Sequence, residues 1–131
     1  MPDLKFIIAM LLFAAPFAAA ADPSLECSIG LGSQIEIADC VAKTETAVDD
    51  VIEITLGFAM DAARELDEVT DREVALPALE QSQSAWSTFR DAHCEYVGST
   101  FGGGSGTGIA IRSCRVELGR DRVTELMKLA Q

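Results

Sequence analysis

The apolar pattern in residues 37–69 most constrains the fold of this chain. Apolar side chains recur there mostly three, four or seven positions apart, at Ile37, Val41, Val48, Val51, Ile52, Ala59, Ala62, Ala63, Leu66 and Val69. This spacing is that of one face of a long amphipathic helix. Ser33 and Glu36 stand before it with the spacing of a capping box, which predicts a helix start near Ser33. The pattern fades at residues 70–71, where the helix is predicted to end.

Two more helices are predicted downstream. Pro77 is suited to the first turn of the second helix, where its missing N–H is not needed. Gly98 is suited to the C-terminal end of that helix. The apolar stripe between them is Leu79, Ser82, Trp86, Phe89, His93 and Val97. A third helix is predicted to begin near Gly108 or Ile109, with Gly119 as a weak point; its apolar face is Ile111, Cys114, Leu118, Val123, Leu126 and Leu129. The sequence therefore predicts an all-α, three-helix, up-down-up bundle with a long first helix.

The first 21 residues have the order of a secretory signal peptide. Lys5 precedes an apolar run over residues 6–17, and four alanines follow at residues 18–21. The run is short and is interrupted by Pro16, which disfavours a membrane span. A retained N-terminal anchor is the alternative. We expect residues 1–21 to be cleaved and residues 22–131 to form a single domain, exported to the periplasm without stable membrane insertion.

Four cysteines, Cys27, Cys40, Cys94 and Cys114, predict two disulfides in a small exported domain. Three pairings are possible, of which the two local ones, 27–40 and 94–114, are favoured. In the predicted topology all four cysteines gather at one end of the bundle. The chain has one histidine, His93, and no Cys-x-x-Cys pair, so no metal site or cofactor is expected.

The charge is strongly acidic, with 21 Asp and Glu against 10 Lys and Arg and a net charge of −11. Residues 36–80 hold 13 acids and three bases, so the negative field belongs to the first half. Such a field repels nucleic acid and attracts a cationic protein. Solubility alone is the simpler explanation of the same composition.

No catalytic set is visible, and the chain is not expected to be an enzyme. In the glycine-rich segment over residues 97–114, Gly104 occupies the position where a P-loop requires lysine. His93 lacks the convergent partners of a triad and is interpreted as a packing or capping residue. The serines lack a nucleophile-elbow context.

Two charged residues suggest a polar contact between the second and third helices. Trp86 and Arg90 are four residues apart, so the guanidinium can lie over the indole. Asp91 is predicted to pair with Arg115 or Arg122. Either a structural clasp or a recognition patch at the end of the bundle would use these residues.

The segments "QSQSAWSTFRDAHCEY" and "IRSCRVELGRDRVTEL", joined by the glycine-rich stretch, resemble the lysozyme inhibitor LprI-like family. The first helix departs from the family pattern, because it reads "IEITLGF" where members usually carry an "LN..Y"-like segment. The resemblance implies an all-helical, disulfide-bonded envelope domain that inhibits lysozyme by stoichiometric binding. A non-inhibitory structural or stress-related envelope module is the alternative. The matching residues are Gln83, Trp86, Phe89, Arg90, Asp91, Cys94, Gly103, Cys114, Arg122 and Leu126.

The glycine-rich loop is a candidate element for contacting a partner such as lysozyme, which is commonly basic. A loop closed at its base could probe a concave cleft, although a plain connector has the same composition and ordering a loop costs affinity. The candidate contact residues are Thr100, Phe101, Gly103, Ser105 and Thr107.

Overall fold

The computed structural model describes residues 22–30 and 32–131, and the predicted signal peptide lies outside them. These residues form four helices, which are α1 (Pro23–Ser28), α2 (Gln34–Thr70), α3 (Ala75–Ser99) and α4 (Gly106–Leu129). The all-α prediction is confirmed, and α2, α3 and α4 are the three long helices expected. The predicted number of helices was wrong, because six-residue α1 is too short to produce a periodic signal.

Helix α1 depends on local capping. The Asp22 carboxylate accepts a hydrogen bond from the Ser24 N–H at 2.9 Å, and Pro23 occupies the start of the helix. Proline suits that position because its missing N–H would have no partner in the first turn.

Helix α2 begins with the predicted capping box. Ser33 Oγ accepts from the Glu36 N–H at 3.2 Å, and Glu36 Oε2 accepts from the Ser33 N–H at 3.0 Å. The helix ends at Thr70, and Asp71 follows in the left-handed region with φ 52°. Both predicted boundaries are therefore confirmed.

The α2–α3 turn is closed by one carboxylate. Asp67 accepts hydrogen bonds from the N–H groups of Val74, Ala75 and Leu76 at 3.1, 2.8 and 3.0 Å. These bonds hold the pKa of Asp67 below its usual range. Val74 cannot cap α3 with its own side chain, so α2 supplies the cap. Pro77 lies in the first turn of α3, as predicted.

Both local disulfides are present, Cys27–Cys40 and Cys94–Cys114. The predicted gathering of the cysteines at one end is confirmed, because Cys27 packs with Val41 and with Ile109 from the start of α4. We call this the near end of the bundle. The far end is the opposite one, where the turn over residues 71–74 joins α2 to α3.

Two apolar clusters form the core, and a carboxylate lies between them on α2. The near cluster contains Val41, whereas the far cluster joins Ile52 and Ala59 of α2 to Leu126 of α4. Glu45 is one turn beyond Val41 and is only 8% exposed. A buried carboxylate needs partners, which α4 provides as described below.

The predicted apolar stripe of α2 mixes two faces of the helix. Val41, Ile52 and Ala59 are buried as expected, but Val51, Leu66 and Val69 are exposed. Val51 and Val69 lie about 100° around the helix from the buried face. Leu66 points toward the core side, but α4 ends before reaching its level, since Leu126 already packs against Ala59.

Two glycines predicted as breaks are points of close helix contact. Gly98 is buried inside α3, which continues to Ser99, and a Cβ there would collide with the Ile111 side chain of α4. At Gly119, a Cβ would lie 2.5 Å from Val48 Cγ1 of α2. The predicted end of α3 at Gly98 is confirmed to within one residue, whereas the predicted weak point at Gly119 was wrong. Both glycines let α4 approach its neighbours. Helix α4 begins at Gly106, two residues before Gly108, the first of the two predicted starting positions.

Within residues 22–30 and 32–131, no helix combines the length and apolarity needed to cross a membrane.

Candidate functional site

Trp86 of α3 is contacted by two arginines, one from its own helix and one from α4. The guanidinium of Arg90 lies 4.9 Å from the ring centroid of Trp86, which confirms the predicted stacking. The guanidinium of Arg122, from α4, lies 5.7 Å from the same ring. We call Gln83, Trp86, Arg90 and Arg122 the clasp. The fold thus brings four of the family-motif residues together.

Arg122 is the most buried charged residue of the clasp, at 4% exposure. Its Nε donates to Gln83 Oε1 at 2.9 Å, and its Nη1 donates to Glu125 at 2.6 Å. A weaker contact of 3.5 Å reaches Ser82 Oγ. A guanidinium with several donors in a fixed plane is the side chain suited to such a position. The buried charge is therefore satisfied by partners on both helices.

Acidic residues of α2 complete the polar contacts, and sequence reasoning did not identify them. Arg90 Nη1 donates to Asp49 at 2.6 Å. Arg112 Nη1 donates to the buried carboxylate of Glu45 at 2.6 Å, and Arg115 lies 3.5 Å from it. One feature of the sequence could have indicated the role of Glu45, because it falls on the apolar face of α2, between Val41 and Ile52.

The predicted partner of Asp91 is confirmed as Arg115, whose Nε lies 3.5 Å from the carboxylate. Arg122, the other candidate, contacts Gln83 and Glu125 instead. Asp91 is more exposed than Arg115, so this ion pair lies at the edge of the α3–α4 contact. Such pairs usually contribute about 0–1 kcal/mol.

Phe89, although part of the family motif, points away from the clasp. It is 53% exposed and stacks on His93, with ring centroids 5.3 Å apart. His93 is also exposed and packs on the surface of α3. The only histidine is therefore used in a ring contact.

The glycine-rich loop begins after α3 and lies at the near end. Thr100 and Phe101 continue the last turn of α3, where the Phe101 N–H donates to the Gly98 carbonyl at 3.0 Å. Gly102 and Gly103 follow with φ of +68° and +79°, a conformation that favours glycine. Ser105 is exposed at the start of α4.

The five candidate contact residues therefore do not form one exposed loop. Thr107 lies inside the first turn of α4, and its hydroxyl is buried without a hydrogen-bond partner among the described residues. The exposed members are Thr100, Phe101, Gly103 and Ser105.

Phe101 forms one wall of a cleft of about 530 Å³ at the near end. Apolar side chains from all four described helices share this lining, including Leu25, Ile37, Val97 and Ile109. Glu117 lies at its edge, where burial and then the nearby charge of Asp22 raise the pKa of the Glu117 carboxyl. The loop thus borders a concave, partly apolar and negatively charged surface.

Helix α1 is fixed beside this cleft by an ion pair as well as a disulfide. Arg120 donates to both carboxylate oxygens of Glu26, at 3.0 and 2.8 Å. This pairing lowers the pKa of Glu26 and raises that of Arg120. Two parallel bonds give a defined orientation, so α1 is held in place on α4.

The part of the chain that the structure describes contains no group of three or more His, Cys, Asp or Glu side chains able to hold a metal ion.

A family model described as "Lysozyme inhibitor LprI" matches residues 26–126. An uncharacterized protein of Rhizobium meliloti (strain 1021) is 30% identical over 129 residues, which cover 95% of this chain and 92% of that protein. No solved structure gives a significant match. The matched span begins in α1, includes all four cysteines and ends at Leu126 in α4.

Proposed function

The chain belongs to the lysozyme inhibitor LprI family, and we propose that it is an exported periplasmic protein that inhibits a lysozyme by binding it stoichiometrically. Export is supported by both disulfides, which persist in oxidising compartments. The proposed activity is binding rather than catalysis.

The single observation that carries the proposal is the match to the family over residues 26–126. The acidic field supports it, because residues 36–80 carry 13 acids against three bases and all lie in α2, in α3 or in the turn between them. A basic enzyme would be steered toward this surface, with an association rate that falls as salt is added.

For the contact surface, we propose the exposed part of the glycine-rich loop together with the cleft beside it. Phe101 supplies an apolar anchor that is 55% exposed at the cleft wall. Thr100, Gly103 and Ser105 complete the proposed element, and Thr107 lies at its base in the first turn of α4. Aromatic anchors surrounded by small polar residues are common in protein-binding loops.

The test is a titration of the purified protein into lysozyme, with lysis of a cell-wall substrate as the readout. We expect inhibition to saturate near one protein per lysozyme and to weaken at higher salt. Phe101→Ser should reduce the apparent affinity by about tenfold, since a central aromatic anchor commonly contributes that much. Tyr96→Ser is the matched control, because Tyr96 is a 67% exposed aromatic residue on α3 outside the loop.

Two outcomes separate the parts of this proposal. No inhibition by folded protein at about tenfold molar excess in low salt would refute lysozyme inhibition, because a stoichiometric inhibitor is then saturating unless its affinity is very weak. Inhibition that Phe101→Ser and Tyr96→Ser leave equally intact would keep the function and reject the loop as the contact element.

A second candidate is a non-inhibitory envelope module, and one observation favours it. The most specific part of the family motif is used internally, because Trp86 and Arg122 hold α3 against α4. A motif with a structural role identifies the fold without identifying a partner. Recovery from periplasm of a specific partner other than lysozyme, combined with no inhibition in the titration, would support this candidate.

A further inference from the structure

Helix α2 carries a second apolar stripe, which lies beside the face that packs in the bundle core and meets that face at Leu66, beyond the end of α4. Five large side chains on this stripe are exposed: Val51 by 43%, Ile54 by 58%, Phe58 by 59%, Leu66 by 54% and Val69 by 80%. Together with smaller residues they follow steps of three or four positions along the helix, at residues 40, 44, 47, 51, 54, 58, 62, 66 and 69. We call this set the outer stripe.

The near end of the outer stripe is already covered by a helix. Cys40 belongs to the stripe and is joined by a disulfide to Cys27 of α1. Past α1, the surface between α2 and α4 is a shallow groove lined by Val51 and Val123. The stripe continues from Val51 to Val69, about 27 Å at 1.5 Å per residue, and none of its large side chains is buried.

This geometry suits a helix as the occupant. Alternating steps of three and four residues form the seam along which one helix packs against another. A contiguous row of exposed apolar side chains on a monomer commonly marks an interaction site. The position of α1 on the same face shows that the fold already accepts a helix there.

The charge beside the stripe indicates which kind of helix fits. Asp50, Asp61 and Glu68 lie along its outer flank by helical position. The bases beside the stripe are each paired with an acid, Lys43 with Asp39, Arg64 with Asp61 at 2.7 Å and Arg120 with Glu26. A second copy of this chain would bring the same acids together, and like charges disfavour that contact. Lysine or arginine on either side of an apolar seam would complement the flank.

We propose that the outer stripe of α2 is a docking surface for a cationic amphipathic helix. The inference goes beyond the proposed function, because it does not require lysozyme to be the partner and uses a different surface from the glycine-rich loop. The occupant is defined by its chemistry, which is apolar residues three and four positions apart with lysine or arginine around them.

The test uses a synthetic helix as the probe. A peptide of about 18 residues, long enough to follow most of the stripe, carries leucine at three- and four-residue steps and lysine elsewhere. Calorimetry should show one peptide bound per protein, with affinity that falls as salt is added. A peptide with the same leucines but glutamate in place of lysine should bind at least about tenfold more weakly, because its charges match those of α2.

Variants locate the binding surface. The double substitution Ile54→Ser and Phe58→Ser should lower the affinity for the lysine peptide at least about tenfold, since it removes two apolar anchors. Phe89→Ser is the matched control, because Phe89 is also half-exposed but lies on α3, and it should change the affinity less than about twofold. All three positions are exposed, so far-UV circular dichroism should show unchanged helix content.

Three results would overturn the proposal. One is no binding of the lysine peptide by folded protein, and another is equal loss of binding in the Phe89→Ser control. The third is a protein dimer, seen by light scattering, that the double substitution dissociates, because a second copy would then be the occupant. Lysozyme inhibition should persist in the double variant, so failure of this proposal and failure of the proposed function give different results.

Discussion

The near and far ends of the bundle are stabilised by different interactions. At the near end, two disulfides and the bidentate Arg120–Glu26 pair fix α1, α3 and α4 around a small apolar cluster. At the far end, Asp67 caps α3 through three backbone bonds, and the apolar cluster around Leu126 supplies the packing. The comparison shows that the near end compensates for a small core with covalent links, whereas the far end leaves apolar surface of α2 exposed.

The largest expected effect on this comparison comes from removing the disulfide that joins α3 to α4 at the near end. The Cys94→Ala and Cys114→Ala pair opens a 20-residue segment, and the free energy of unfolding should fall by about 3 kcal/mol. Urea denaturation followed by circular dichroism measures the loss. The Cys27→Ala and Cys40→Ala pair opens 13 residues and should cost slightly less. A larger loss in that second pair would show that docking of α1 dominates the near end.

A second substitution tests the clasp that lies between the two ends. Arg122→Lys should lower the free energy of unfolding by about 2 kcal/mol, because lysine cannot donate to Gln83 and Glu125 in one plane while lying over Trp86. Thermal unfolding measures it. Arg112→Lys is the control, since Arg112 makes one hydrogen bond to Glu45 and is half-exposed, and it should change stability by less than about 0.5 kcal/mol. Equal effects would mean that the fork geometry of Arg122 is unimportant.

Two glycine substitutions compare the face of α2 that packs against α4 with its open face. Gly119 lies on α4 against the packed face, and Gly57 lies on α2 at the open face. Gly119→Ala should lower the free energy of unfolding by about 1 kcal/mol, because the added Cβ meets Val48 and Ile52 and outweighs the gain in helix propensity. Gly57→Ala, which meets no atom within 4 Å, should raise it by about 1 kcal/mol. Chemical denaturation distinguishes the opposite signs. Stabilisation by Gly119→Ala would show that α2 and α4 can separate without cost.

The smallest expected effect concerns the far-end cap and its dependence on pH. The folded-state pKa of Asp67 is lowered by the three backbone bonds, so its contribution is present above the ordinary value of about 3.9 and is lost as the pH falls through the folded value. Asp67→Asn should therefore be less stable than the unmodified protein at neutral pH and should lose less stability between about pH 5 and pH 2. Thermal melts across that range measure the slope, and Asp50→Asn controls for removal of one acid from α2. Parallel slopes in all three proteins would argue against this cap.

Contacts between residues close together in the chain could be predicted from the sequence. Ser33 and Glu36 are three residues apart, so their capping box needs no knowledge of the fold. The disulfide pairing followed from proximity along the chain, and Trp86 and Arg90 met because one helical turn separates them. In each case the interacting groups are joined by a short or regular segment.

The remaining contacts depend on how helices face one another, which local patterns do not encode. Glu45 and Asp49 are two among many acids on α2, and only the approach of Arg112 and Arg90 distinguishes them. Gly119 has the composition of a helix break, but its role depends on Val48 of another helix. The two apolar stripes of α2 overlap in sequence. Only the position of α4 in the fold shows which of them is buried.

The disulfide at the base of the glycine-rich loop affects how far the length of the loop can vary. Cys94 and Cys114 fix the separation of α3 and α4, so residues 102–104 do not set the geometry of the bundle. We expect insertions or deletions there to be tolerated, because the chain ends remain joined whatever the loop length. The α2–α3 turn is different, since an added residue would move three N–H groups away from Asp67. Differences in length among relatives, and the placement of tags or grafted epitopes, should therefore concentrate at residues 102–104.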